Sequence, residues 1–395
     1  MSRNGDLPVL IAGAGPVGLS VAASLVTQGF KVEVFEKGAD LADEARASTF
    51  HASTLEYFAE WGVADDVISN GKKVRVLQFW ERETRERVAD FDYALIAKDT
   101  PYPYRLQCPQ NKVTRLIKPR IEATGLCKVH FSHEALVQRD LGDHVELDLK
   151  TPNGVKTVKG SYVIGADGGA SKVREALNMI LEGETYEDRF LLVGSDLDYN
   201  RIFPDIGLVA YIYDPEEWVI IMHLPDVIRT VFRLRPDEDA DAALKESAVR
   251  ERMAAFIGRP VDFNISMASY YRVHQRVAPT FRVGRSILAG DAAHINNPAG
   301  GMGMNSGIHD AYLLGKNLGE VLRGGSDSLL DEYAETRRRA AVEMVQESTA
   351  RNYRDLSLKD PQARMQRNRD MAAAAADPIK ARAYLLRASM LDHRI

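Results

Sequence analysis

Cysteine is scarce in this sequence: Cys108 and Cys127 are the two thiols in a chain of 395 residues. Two thiols cannot make the framework of a disulfide-stapled secreted fold, and the usage fits a reducing compartment. Long apolar runs are missing too, since no stretch approaches the ~20 residues a membrane helix needs. Residues 1–8, with Arg3 and Asp6, lack the charged-then-apolar layout of a signal peptide. The expectation is a soluble, cytoplasmic protein with no integral membrane segment. Nor does one charge sign dominate. There are 51 Lys and Arg against 56 Asp and Glu, a formal net charge of -5. That argues against a nucleic-acid partner, because phosphate binding shows as a basic surplus or stripe. No metal is expected. Cys127, His130 and His133 have no evident fourth ligand, and strand alternation puts the two histidines on opposite faces. No Ser/His/Asp arrangement, P-loop or internal repeat stands out.

What is present is an ordinary globular composition, 45% hydrophobic and 27% charged, long enough for two to three domain-sized units. Leu7 to Ala12 reads as a strand, Leu19 to Gln28 as a helix stopped by Gly29, and Lys31 to Glu36 as a second strand. Strand, helix and strand in so short a span form a βαβ unit with parallel strands. A helix follows over 52–61, a hairpin-like alternation over 74–91, and a helix over 111–123. Residues 128–131, 145–149 and 157–164 read as strands. A β-rich stretch covers 191–234, followed by a helix over 240–257, a strand near 266–272 and a short one at 287–290. The remainder is helical, over 305–322 and 328–354, with Asp377 and Pro378 as the N-cap and first position of a last helix.

The turn between the first strand and helix reads GAGPVG, with Gly13, Gly15 and Gly18. Gly13 permits a tight turn, Gly15 lets backbone amides approach a pyrophosphate, and Gly18 lets the helix pack closely. The helix N-terminus adds partial positive charge for the phosphates. Glu36, closing the second strand, is placed to hold ribose hydroxyls. This motif implies a dinucleotide and does not separate FAD from NAD. Two later segments bear on that choice. Residues 162–174 read YVIGADGGASKVR, an apolar strand and then Asp167-Gly168. Residues 286–305 read SILAGDAAHINNPAGGMGMN, a strand ending at Asp291, then Pro298 and a glycine run that opens a long helix.

These three segments, in this order, resemble the group A FAD-dependent aromatic monooxygenases, the family of 4-hydroxybenzoate hydroxylase and the phenol-type hydroxylases. The resemblance covers roughly residues 7–345. It implies an α/β fold in which a Rossmann-like FAD-binding domain (1–73, 100–185 and 280–325) interleaves with a β-sheet substrate domain (74–99 and 186–279). A C-terminal helical region (326–395) follows, which either supports a homodimer or covers the substrate domain. FAD would be held by Gly13, Gly15, Gly18, Glu36, Arg46, Gln110, Asp167, Gly168 and Asp291, with Gly301, Gly303, Met304 and Asn305 opening the long helix toward the flavin. Such a helix start stabilises negative charge on a reduced flavin. Pro298 would wall the ring edge where oxygen reacts.

The implied activity is that of a single-component monooxygenase. NADH or NADPH reduces FAD, O2 forms a flavin C4a-hydroperoxide, and one oxygen passes to an electron-rich aromatic or heteroaromatic ring of phenol, hydroxypyridine or quinolone type. Glu44 favours NADH, because an acid there repels a 2′-phosphate. An ungapped count against 4-hydroxybenzoate hydroxylase sets Tyr211 at its phenol-binding tyrosine and Leu224 at a carboxylate-binding arginine, which speaks against a benzoate. The plainer alternative for Tyr211 is a packed sheet residue. His223 is a candidate base, with a solvated strand histidine as its alternative. Arg229, Arg233 and Arg235 share a strand face and read as a solvated edge. Arg337, Arg338 and Arg339 read as a solvated helix face, and His294 is not assigned a catalytic role. The rival functions are a reductase or halogenase on the same fold, or a non-catalytic FAD-binding protein.

Overall fold

The computed structural model describes residues 7–44, 47–235, 237–296, 301–356 and 358–392. Arg46 and Pro298 lie outside the described residues. The opening apolar run is β1 (Val9–Ala12), buried throughout. The helix after the glycines is α1 (Pro16–Thr27), with proline at its first position, where the missing N–H costs nothing. β2 (Val32–Glu36) runs parallel to β1. Three further parallel strands extend this sheet: β8 (Cys127–Phe131), β12 (Val163–Gly165) and β19 (Ser286–Leu288), with antiparallel β18 (Arg282–Val283) at one edge. The order is β18-β19-β12-β1-β2-β8, so the glycine turn leaves the middle of the sheet at the carboxyl ends of its strands.

The run 157–164, read as one strand, is divided between two sheets. Its first part belongs to β11 (Gly154–Gly160), paired with β10 (Val145–Thr151), and its last part to β12. β9 (Glu134–Asp140), not anticipated, completes the β11-β10-β9 sheet. His130 and His133 also depart from expectation. The strand ends at Phe131, Ser132 takes a left-handed φ of 59°, and both rings gather around Phe35.

A small sheet, β3 (Thr49–Phe50), β7 (Arg105–Gln107) and β4 (Lys72–Val74), links the nucleotide sheet to a larger one. The larger sheet contains β5 (Val76–Glu81), β6 (Arg87–Asp92), β13 (Glu182–Ser195), β14 (Val209–Tyr213), β15 (Val219–His223), β16 (Ile228–Leu234), β17 (Ile265–Val277) and β20 (His294–Ile295), in the order β20-β17-β13-β16-β15-β14-β5-β6. Its side chains alternate cleanly. Ala210, Ile212, Val219, Ile221 and Phe232 pack toward α7 (Glu246–Ile257), which follows the short α6 (Ala240–Ala243). Phe79, Tyr211, Ile220 and Val231 face the other way. The arginine strand is β16, interior to this sheet, and Arg229 is 2% exposed, which corrects the solvated-edge reading.

The helices that matter for the site are α2 (Ala52–Glu60), α3 (Ala64–Ser69), α4 (Gln110–Ala123), α5 (Lys172–Ala176) and α8 (Met302–Leu322), followed by α9 (Ser328–Leu356), α10 (Pro361–Ala376) and α11 (Pro378–Ala388). Asp377 caps α11 by accepting from the amides of Ile379 and Lys380, as the sequence predicts. α10 and α11 lie against the β5–β6 end of the large sheet. Arg367 is set 3.0 Å from Glu81 and over the Tyr213 ring, and Ala381 and Leu385 are fully buried among Phe79, Phe91 and Tyr93. The helical tail thus covers the β-rich sheet. Arg337 on α9 is buried, not solvated: its Nε donates to Asp310 at 2.6 Å.

Candidate active site

The glycine turn divides its labour as its spacing predicts. Gly13 has φ 98°, and a Cβ there would stand 2.4 Å from the Ala166 carbonyl oxygen. A Cβ on Gly18 would stand 2.0 Å from the Gly13 oxygen. These two are closed by the protein itself. Gly15, at the uncapped start of α1, opens on space: a Cβ there meets nothing within 4 Å. Glu36 is held opposite, one carboxylate oxygen accepting from the Ala14 amide and the other from the Gly38 amide, both at 2.9 Å.

The other two motifs converge on this turn. Asp167 follows β12, with its Cα directly beneath Gly13. One of its oxygens accepts from the Lys172 and Val173 amides at the start of α5. The other, Oδ1, is buried with no hydrogen-bond partner among the described residues. Burial pushes this carboxyl up, against the opposing bonds from Ser171 and the backbone. Gly168 has φ 82° and opens on space. Asp291 is exposed on a single helical turn over Gly290–Ala292. That turn packs on Val17 of α1 and Gly307 of α8: Val17 leaves no room for a Cβ on Gly290, and Val17 and Gly290 leave none on Gly307.

α8 begins at Gly301 (φ 69°), without a side-chain cap or an acid in its first turn, and Gly303 opens on space. Asn305 is different. All its side-chain bonds go to the protein: Oδ1 accepts from the His51 amide and the Thr54 hydroxyl, and Nδ2 donates to the Thr49 and Gly301 carbonyls. It fixes the helix start, and its side chain has nothing left for a ligand. Met304 is half-buried beside it. Gln110 bridges Glu44 and Ala47, accepting from the Ala47 amide and donating to the Glu44 carbonyl, both at 3.3 Å.

The residues present therefore fit FAD. Two uncapped, acid-free helix starts aim their amides at one region, glycines open the approach to it, and an orphaned buried acceptor on Asp167 borders it. Holding the third motif in place is a buried network absent from the sequence reading. Asp310 on α8 accepts from the Gly290 amide (2.9 Å), His294 Nε2 (2.8 Å) and Arg337 Nε (2.6 Å). Burial alone would raise this carboxyl, but His294 and Arg337 outweigh it and hold it far below the usual range.

On the large sheet, Tyr211 stacks on Phe79 with ring centroids 5.4 Å apart, and its hydroxyl accepts from Arg105 Nη1 at 3.3 Å. His223 does not join it. Tyr211 pairs with Ile220, so Ile220 and Met222 share its face while His223 turns with Val219 and Ile221 to the other, toward Asp198. Burial, with Lys72 adding to it, lowers the His223 pKa. As a base acting with Tyr211 it is ruled out by geometry.

The residue that sequence reasoning missed is Arg105. It is 4% exposed and framed by the phenols of Tyr93, Tyr211 and Tyr384. Tyr384 comes from α11, stacked on Phe91 at 4.2 Å. The Tyr93 hydroxyl points at Arg105 and Ser389 without completing a hydrogen bond of good geometry, and burial pushes its pKa up. No local pattern marks Arg105, whose framing phenols come from three other elements. A cavity of about 500 Å³ is lined by Pro279, Thr280 and charged residues of α9, and it is not this site.

Comparison with known proteins agrees with this geometry. The FAD binding domain family matches residues 6–348. Para-nitrophenol 4-monooxygenase of Pseudomonas sp. (strain WBC-3) is 29% identical over 397 residues, spanning 98% of this chain and 96% of the relative. The crystal structure of p-nitrophenol 4-monooxygenase from Pseudomonas putida superposes with a TM-score of 0.89 at 28% identity, covering 98% and 99% of the two chains. Aklavinone-11 hydroxylase, solved with FAD and aklavinone, gives 0.78 at 28% identity over 89% of this chain and 69% of that one. No helix among the described residues is long and apolar enough to cross a membrane. The chain belongs to the FAD binding domain family and, within it, to the FAD-dependent, NAD(P)H-using monooxygenases that hydroxylate aromatic rings.

Proposed function

We propose that the enzyme hydroxylates a single-ring phenol, seated between the Tyr211–Phe79 face of the large sheet and the start of α8. One observation carries this reading. The short strand β7 joins the two regions: Gln107 bonds Thr49, which touches Gly301, and Arg105 on the same strand face bonds Tyr211. The end-to-end likeness to a nitrophenol monooxygenase supports a ring of that size and type.

Bound FAD, reduced by NAD(P)H, supplies the oxygen activation that side chains lack. The chain's own residues do the remainder. Gly13, Gly15, Gly18, Glu36 and Arg46 would hold the ADP half of the cofactor, Gln110 steadies Glu44 and Ala47, and Asp167, Gly168 and Asp291 would line its middle. The first amides of α8, at Gly303 and Met304, would favour negative charge on a flavin ring held there. Phe79, Phe91 and Tyr384 exclude water from the ring face. Because the Tyr211 hydroxyl oxygen accepts from Arg105, its own proton is available to donate to a ring oxygen. NADH is the preferred reductant, since exposed Glu44 repels a 2′-phosphate.

The test is oxidation of NADH and NADPH by the yellow, FAD-loaded protein against a panel of phenols, hydroxypyridines and quinolones. Products are followed by mass and peroxide by a coupled assay. A phenol that stimulates turnover and gains one oxygen establishes the reading. Peroxide alone from every phenol, or no stimulation by any, refutes it.

A further inference from the structure

The third motif does not stay in the nucleotide sheet. Its strand β19 pairs with β12 there, but after the Gly290–Ala292 turn the chain enters β20, which pairs with β17 at the edge of the large sheet. Val277 stands opposite His294 and Arg276 opposite Ile295, and the Ala278 amide donates to the Ala293 carbonyl at 2.7 Å. Ile295 also packs over the second motif, where a Cβ on Gly169 would stand 3.0 Å from its Cδ1. One short segment therefore belongs to both halves of the molecule. It presents Asp291 on the nucleotide side, and it is a strand of the sheet that bears Tyr211.

His294 is the buried centre of this segment. Its side chain is 1% exposed, and its ring stacks on Phe281 with centroids 5.7 Å apart and 13° between the planes. Both ring nitrogens are used. Asp310, held ionised, can only accept, so Nε2 carries the hydrogen and donates to it at 2.8 Å. Nδ1 is then the acceptor, and Asn296 Nδ2 donates to it at 2.9 Å. Asn296 Oδ1 is buried with no partner among the described residues, so the ring is what holds this amide. Farther on, Asn305 fixes the Gly301 carbonyl at 2.6 Å. Both grips start from α8: one runs from Asp310 through His294 to Asn296, the other from Asn305 to Gly301. A side chain that only filled the space beside Phe281 would be apolar, since two buried ring nitrogens are costly without partners.

We infer that His294 is a positioning residue for oxygen transfer. By bridging Asp310 to Asn296 it sets the start of α8, where the flavin ring would lie, at a fixed distance from the large sheet. The inference rests on the reading that the substrate ring lies against that sheet. Reacting atoms must stand about 3–3.5 Å apart, and a misplacement of about 1 Å costs up to about 100-fold. The bridge therefore acts on how often oxygen reaches the ring, and little on how tightly FAD is held.

Two variants separate the bridge from the fold. A glutamine amide places its Nε2 near that of the imidazole, so His294→Gln keeps the Asp310 bond and gives up Asn296. Asn296→Ala cuts the same bond from the other end. FAD-loaded wild type, both variants and the double variant are compared by visible circular dichroism of the bound flavin, with no substrate or NAD(P)H present. The ratio of hydroxylated product to peroxide is then measured with 4-nitrophenol. Both single variants are expected to melt near wild type and to bind FAD within a few-fold, with altered flavin dichroism. The product ratio should fall at least about tenfold. The double variant should be no worse than either single one, because one bond has been cut in all three. Unchanged dichroism in both variants overturns the proposal, as does an unchanged product ratio or effects that add in the double variant. Loss of FAD affinity with the bound fraction still fully coupled also overturns it, leaving His294 a structural residue. If His294→Gln does not fold, Asn296→Ala decides alone. If wild type makes only peroxide from 4-nitrophenol, the single-ring phenol reading is what fails, and the dichroism decides the role of His294 by itself.

Discussion

Replacing Arg337 by methionine removes the guanidinium from a deeply buried ion pair. Asp310 has no exposure, Arg337 is 3% exposed, and their closest atoms are 2.6 Å apart. Without the guanidinium, the carboxylate keeps the Gly290 amide and His294, and the Ser306 hydroxyl and carbonyl lose their donor. Stranding one member of a buried pair costs about 3–5 kcal/mol, a large share of a total stability of about 5–15 kcal/mol. The sign of the pH dependence follows from the depressed carboxyl. A group whose folded pKa lies below its unfolded value contributes stability above the unfolded pKa and loses it as pH falls. The difference between wild type and Arg337→Met should therefore be constant from neutrality to about pH 5 and narrow below it. Urea unfolding of the FAD-loaded proteins across that range is the assay. Because Asp310 also anchors the Gly290 amide beside Asp291, FAD affinity should fall in the variant. A loss under about 1 kcal/mol at neutral pH, the size of an exposed pair, or a gap that widens in acid, would refute the reasoning.

Three further outcomes are expected. Gly15→Ala, whose Cβ meets no protein atom, should leave the stability of the apoprotein unchanged and weaken FAD at least about tenfold, whereas Gly13→Ala, forced against the Ala166 carbonyl at positive φ, should fail to fold or lose several kcal/mol; thermal melts with flavin titration separate the two. Leu385→Ala should cost about 2–5 kcal/mol, because Leu385 is fully buried in the cluster that seals α11 to the sheet, and peroxide release should rise relative to product as water reaches the ring face; an unchanged coupling ratio would show that α11 does not shield the site. His223→Gln should leave steady-state hydroxylation within a few-fold and its pH profile unmoved, since His223 turns away from Tyr211; a lost ionisation in kcat/KM would restore it as the base.

The amino-acid sequence by itself determined the parts that local backbone chemistry encodes. A tight turn at positive φ, a helix start and a strand-closing acid need particular residues at fixed spacing, so the βαβ unit and the three ordered motifs were legible, as was the Asp377-Pro378 helix start. Only the tertiary structure decided the rest. Residues 157–164 are uniformly strand-forming, and nothing local says that they divide between two sheets. The arginines at 337–339 have one local pattern, yet Arg337 points to a carboxylate on another helix. Tyr211 and His223 share a face or not according to a hairpin register that pairs Tyr211 with Ile220. Arg105 acquires its meaning from Tyr93, Tyr211 and Tyr384, which reach it from three other elements. Propensity and capping act within a few residues of the chain, whereas burial and charge pairing depend on which elements meet in space, and that is settled by the packing of the whole chain.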